Sequence, residues 1–128
     1  MIVDSSLWLE YFAGTIKGTP VSGIIKDTNS LYVPTICLYE VYKKLLIEKD
    51  EAAAMLAIAH MQQGKVVDLN IELALFAAKL SREYKLPMAD SIIYATARNY
   101  NCFLWTQDQH FKGLDLVKYL KKPKPQVR

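Results

Sequence analysis

The chain has 128 residues, which suits one ordinary domain with its own core and is too short for two. Hydrophobic residues make up 52% and charged residues 23%, and mean hydropathy is near zero, so a disordered chain is excluded. No apolar run approaches the roughly 18 residues of a membrane helix, and "AAAMLAIA" (Ala52 to Ala59) is far too short to span.

In chain order, "MIV" (Met1 to Val3) is a short β-rich run that ends at Asp4. The opening "MIVDSSLW" has no basic stretch and carries an aspartate where a signal peptide is apolar, so a cytoplasmic chain is expected. Leu7 to Phe12 is more apolar than one helix face needs. "LYV" (Leu31 to Val33) reads as a second strand. A helix over Thr35 to Lys49 follows, with Leu38, Val41, Leu45 and Leu46 on one side. The next helix starts at a capping Asp50, is rich in alanine and stops at Gly64. "KVVDL" (Lys65 to Leu69) is a third strand, and a helix capped by Asn70 runs on from it. The last helix has Pro87 at its start and Asn101 where a left-handed residue is expected. "CFLW" (Cys102 to Trp105) and "LDLVKYL" (Leu114 to Leu120) complete the strands. Strands alternating with helices predict an α/β fold, a parallel sheet with helices on both faces. Residues 1–120 are expected to form this domain, and 121–128 ("KKPKPQVR" with its prolines and lysines) a loose basic tail.

Four acids stand at informative places. Asp4 ends the first strand and Asp108 lies just past the strand at Phe103 to Trp105, so both project from the C-terminal edge of a parallel sheet, where such sheets bind ligands. Glu40 falls in the early turns of the helix after the second strand, and Asp90 in the first turn of the helix before the Cys102 strand. Both can face that edge. Clustered carboxylates repel one another unless a cation is present, and a set of oxygen donors alone favours Mg²⁺ or Mn²⁺ over Zn²⁺.

At these residues the sequence resembles the PIN-domain ribonucleases, and among them the VapC-type toxins of toxin-antitoxin pairs. The resemblance rests on "IVDSSLWLEYF" with Asp4 and Ser6, "YEV" with Glu40, "LPMADSIIYATA" with Asp90, and "WTQDQHF" with Thr106, Asp108 and Phe111. It implies a three-layer α/β/α sandwich around a central parallel sheet. It implies Asp4, Glu40, Asp90 and Asp108 as catalytic metal ligands, with Ser6 and Thr106 supporting them. It further implies hydrolysis of RNA phosphodiesters by metal-activated water, homodimerisation, and inhibition by a small cognate antitoxin. Asn101 stands where the family often has glycine, and asparagine also tolerates a positive φ.

The charge balance agrees with an anionic polymer. Net charge is +3, and setting the four acids aside leaves 16 basic against 9 acidic residues, or +7. Lys43, Lys44, Lys79, Arg82, Lys85 and the tail lysines are candidate RNA contacts, although lysines at helical spacing usually form only a solvated face. His60 and His110 show no partner at metal-ligand spacing in the sequence. No G-x-S-x-G elbow makes a serine hydrolase. Cys37 and Cys102 sit in apolar stretches and read as reduced thiols. The apolar helix around Met55 to Met61 and the Leu7 to Phe12 stretch are expected to meet a second copy or the antitoxin. Two other classes remain: a catalytically silent binding module on the same fold, and a phospho-acceptor receiver domain. The receiver needs an acidic pair after its first strand, whereas here Asp4 is followed by serines.

Overall fold

The computed structural model describes residues 1–121. Five short strands, β1 (Ile2–Val3), β2 (Tyr32–Pro34), β3 (Lys65–Val67), β4 (Leu104–Thr106) and β5 (Val117–Tyr119), all pair in parallel. β1, β4 and β5 form one ladder and β2 with β3 another. The Tyr32 amide donates to the Met1 carbonyl at 2.8 Å and ties the two ladders edge to edge, giving the spatial order β3-β2-β1-β4-β5. Six helices surround this sheet: α1 (Ser5–Ala13), α2 (Pro20–Lys26), α3 (Thr35–Glu48), α4 (Glu51–Met61), α5 (Ile71–Tyr84) and α6 (Met88–Asn99). The α5–α6 and α3–α4 pairs pack most extensively. The arrangement is the three-layer α/β/α sandwich expected from the sequence.

The four helices read from the sequence are present, each ending within a few residues of the expected place. Asp50 and Asn70 cap as expected, accepting the amides of Ala53 and Leu73 at 2.7 and 2.8 Å. Asn101 takes a φ of 49°, the left-handed conformation expected of it. Gly64 does a different job from the one its position suggested. The α4 helix ends earlier, at Met61, and a Cβ on Gly64 would lie 2.9 Å from Val33 Cγ2 and 3.2 Å from the Leu31 carbonyl. The glycine is needed because the turn into β3 runs hard against β2.

Two helices, α1 and α2, lie in the span 5–30, where the sequence pattern gave no boundary. The Leu7 to Phe12 stretch is corrected: Leu7 and Trp8 are wholly buried, and Leu9, Tyr11 and Phe12 pack against the core, so this segment is largely spent inside the domain. On α4, Met55 and Leu56 remain exposed, at 51% and 74%. Phe111 is fully buried and pins the loop after β4 onto the core. Of the tail expected at 121–128, only Lys121 falls within the described residues, and it is exposed. No helix among the described residues is long and apolar enough to cross a membrane.

Candidate active site

All four acids stand at the C-terminal edge of the sheet, each placed by a strand end or a helix start. Asp4 follows β1 and caps α1, with Oδ1 accepting the Ser5 amide at 2.8 Å. Its Oδ2 accepts the hydroxyls of Ser6 and Thr106 at 3.0 and 2.9 Å. Thr106, the last residue of β4, is itself buried and also accepts the Asp108 amide at 3.0 Å. The β1–β4 pairing thus locks Asp4 and the start of the Asp108 loop to one hydroxyl. Glu40, in the second turn of α3, accepts the Ser5 hydroxyl at 2.7 Å, which links it to the Asp4 segment. Asp90 lies in the first turn of α6.

Asp108 caps the short 3-10 turn Gln109–Phe111 by accepting the His110 amide at 2.9 Å. The same turn carries the His110 ring back over the acids, with Nδ1 3.0 Å from Asp90 Oδ2 and 3.0 Å from Asp108 Oδ1. The reading of His110 as a residue without partners at ligand spacing is therefore corrected. Asp90, Asp108 and His110 each offer a ligand atom within 4.8 Å of the others. Sequence distance concealed this, because Asp90 and His110 are 20 residues apart and only the packing of α6 beside the β4 loop joins them.

The electrostatics of the acids are set first by burial and then by neighbouring negative charge. Burial pushes the Asp4 carboxyl up to about 6, against the hydrogen bonds from Thr106, Ser6 and Ser5, and the charge of Glu40 adds to the rise. Burial, then the charges of Asp108 and Asp4, pushes Asp90 up to about 7, while His110 pulls it down. The nearby Asp108 charge in turn raises the His110 imidazole above its ordinary value. A protonated His110 between two carboxylates occupies the position of a cation. Cys37 is buried beside Asp4, and burial raises its thiol well above the usual range, so it is no nucleophile.

The helical basic residues singled out from the sequence do not line the cleft at Asp108 and His110. Lys43 sits over the Tyr39 ring, Lys44 pairs with Glu48 at 3.1 Å, and Lys79 and Arg82 are exposed on α5. Lys85 is the left-handed C-cap of α5, with a φ of 56°. Lys112 and Lys121 share a cleft with Asp108 and His110. Lys121 belongs to the expected basic tail; Lys112, four residues past Asp108, carries no sequence pattern that marks it.

The sequence matches the PIN domain over residues 1–116. The chain belongs to the PIN-domain family. A toxin-antitoxin complex from Klebsiella pneumoniae contains a similar fold, with a TM-score of 0.76 and 21% identity over 91% of this chain and 94% of that one. VapBC2 from Rickettsia felis, solved bound to a DNA fragment from its promoter, is similar with a TM-score of 0.72 and 13% identity over 92% and 96%. No curated protein matches the sequence at a significant level. Membership of the PIN family removes the receiver-domain reading.

Proposed function

We propose that this PIN domain is a Mg²⁺- or Mn²⁺-dependent endoribonuclease, the toxin of a toxin-antitoxin pair, acting in the cytoplasm as a homodimer. The observation that carries the reading is the joining of Asp90 and Asp108, within reach of one ion, to an Asp4 that is buried yet surrounded by donors. The donor chemistry fits a divalent cation: carboxylates whose protons are held too tightly lose that penalty when a cation replaces them. Asp4, Glu40, Asp90 and Asp108 would hold it, and His110 Nδ1 adds a nitrogen donor that Mn²⁺ accepts more readily than Mg²⁺. Bound there, such an ion supplies Lewis acidity toward the scissile phosphate and a more acidic water.

The chain's own groups do the rest. Ser6, Thr106 and the Ser5 amide fix the Asp4 carboxylate in one orientation, and the Ser5 hydroxyl does the same for Glu40. Thr106 couples Asp4 to the Asp108 loop, so the two acids keep their spacing as substrate enters. Without the ion, His110 is placed to hold a proton at Nδ1 between Asp90 and Asp108. Exposed apolar side chains support two protein contacts. Met55 and Leu56 are exposed on α4, Ile71 and Leu75 on α5, and Met88 on α6. The likeness to a protein solved as a toxin-antitoxin complex supports giving one of them to an antitoxin. A peptide laying apolar side chains there and reaching an arginine or lysine into the carboxylates would block the site.

Purified protein with labelled RNA in Mg²⁺, Mn²⁺ or EDTA tests the enzyme: cleavage is expected in the first two and none in the third. Cleavage that persists in excess EDTA after repurification overturns the metal reading. Co-expression with the adjacent small reading frame is expected to give a stable, silenced complex; its absence would count heavily against the toxin assignment.

A further inference from the structure

Beside the acids lies a polar cleft of about 590 Å³, between the loop Gln107 to Lys112 and the end of β5. Its size is within the range of about 300 to 1,000 Å³ typical of small-ligand sites. Asp108 and His110 line it, so a ligand there lies against the candidate site. The remaining wall is Gln107, Gln109, Lys112, Tyr119 and Lys121. We propose that this cleft seats one nucleotide of single-stranded RNA beside the bond to be cut, and so sets the sequence at which the chain cleaves. The proposal rests on the nuclease reading above and assigns the substrate contacts that reading leaves open.

Three observations carry it. The wall chemistry is that of a nucleotide: two ammonium groups for phosphate, and two amides that each donate and accept at a base edge. Next, the cleft is built rather than incidental. Parallel register sets Tyr119 opposite Thr106, and the Leu120 amide donates to the Thr106 carbonyl at 2.7 Å, so the ring is fixed beside the strand end that organises the acids. The Lys112 ammonium lies 5.5 Å from the centre of that ring, held by cation–π attraction, which makes Tyr119 a positioning residue for a phosphate contact. The loop between them is pinned by buried Phe111 and by the Phe111 and Lys112 amides, which donate to the carbonyls of Asp108 and Gln109 at 3.2 and 3.1 Å. Finally, the volume is enough for one nucleotide, and sequence is read in RNA mainly from unstacked single-stranded bases.

The test uses two measurements on the full chain. Fluorescence anisotropy with a labelled single-stranded RNA of mixed sequence, in EDTA so that nothing is cut, reads binding across a salt series. Sequencing the products of a randomised RNA cleaved in Mn²⁺ reads base preference. Lys112→Gln is expected to weaken binding several-fold and lower the salt slope by about 0.7, the loss of one phosphate contact on a single strand. Tyr119→Leu should behave like Lys112→Gln, and Tyr119→Phe, which keeps the ring, like the parent. Gln107→Ala and Gln109→Ala should leave binding within about twofold and relax the preference at one position beside the cut by roughly five- to tenfold. Thermal melts exclude misfolding as the cause. If the parent cleaves RNA but all these variants keep its salt slope and preference, the cleft proposal is wrong and the nuclease reading stands. If the parent cleaves nothing yet shows Lys112-dependent binding, the nuclease reading fails and takes the cleavage-sequence role with it, leaving the cleft as an RNA-binding site alone. Duplex RNA bound as tightly as the single strand also overturns the proposal.

Discussion

The buried Thr106 hydroxyl makes two hydrogen bonds at once, donating to Asp4 Oδ2 and accepting from the Asp108 amide. Thr106→Val keeps the shape and removes both, leaving the Asp108 amide unmet and Asp4 Oδ2 with the Ser6 hydroxyl alone. A stability loss of about 1 to 3 kcal/mol is expected in denaturant titration, with Thr106→Ser close to the parent. A Val variant as stable as the parent would show that the bond carries little. Asp90 tests the opposite case, a residue kept for chemistry against stability. Its carboxyl is pushed up to about 7, so at alkaline pH the ionised form is held at a cost, and Asp90→Asn removes that charge at constant shape. The melting temperature in EDTA should hold or rise, while cleavage falls at least about tenfold and the stabilisation by added Mn²⁺ shrinks. A variant that melts markedly lower without metal and still cleaves normally would make Asp90 a structural residue.

At the scale of the element, α5 ends on a non-glycine in the left-handed region. Lys85 holds a φ of 56°, and its amide caps the helix by donating to the Ser81 carbonyl. An L-residue there is strained, so Lys85→Gly should raise stability by about 0.5 to 1 kcal/mol after the entropy glycine adds to the unfolded chain. Calorimetry on the pair measures it. Lys85 was also one of the candidate RNA contacts, and if it touches RNA the same variant loses binding. Unchanged binding with a higher melting temperature would assign the residue to the helix end alone. The elements differed in how legible they were. The α5 and α3 helices announced themselves through a cap or a proline and a one-sided apolar stripe, whereas α1 follows Asp4 without a break in apolar character and α2 is only seven residues long. Short apolar segments fit strand and helix alike, and tertiary burial of Leu7 and Trp8 chose the helix.

For the whole molecule, the raised acids make stability a function of pH. Asp4 and Asp90 bind protons more tightly folded than unfolded, so their contribution is most favourable below the ordinary aspartate value of 3.8 and is lost as pH rises through about 6 and 7. His110 is raised as well; its contribution is present below 6.5 and is lost as pH rises through its higher folded value, which is the same sign. Metal-free protein should therefore melt lower at about pH 8 than at about pH 5, with Asp4 alone giving a fall on the order of 1 kcal/mol. Saturating Mn²⁺ should flatten or reverse the trend, because a cation competes with the protons. A melting temperature in EDTA that is level or rising from pH 5 to pH 8 would contradict the crowding of charge seen at the sheet edge.

The sequence by itself determined the alternation of strands and helices, the parallel sheet, and the position of Asp4 and Asp108 at strand ends, because each of these is written in local apolar periodicity and turn chemistry. It also marked Asp50, Asn70 and Asn101, whose capping and left-handed roles depend on their own side chains. Tertiary structure alone decided that His110 closes onto Asp90, that Thr106 bridges Asp4 and Asp108, and that Gly64 is required by Val33. It also placed Lys112 and Tyr119 together in one cleft with Asp108. The physical reason is common to all four. Each depends on a contact between segments distant in the chain, set by strand register and helix packing, and no local pattern encodes which remote residue will stand opposite.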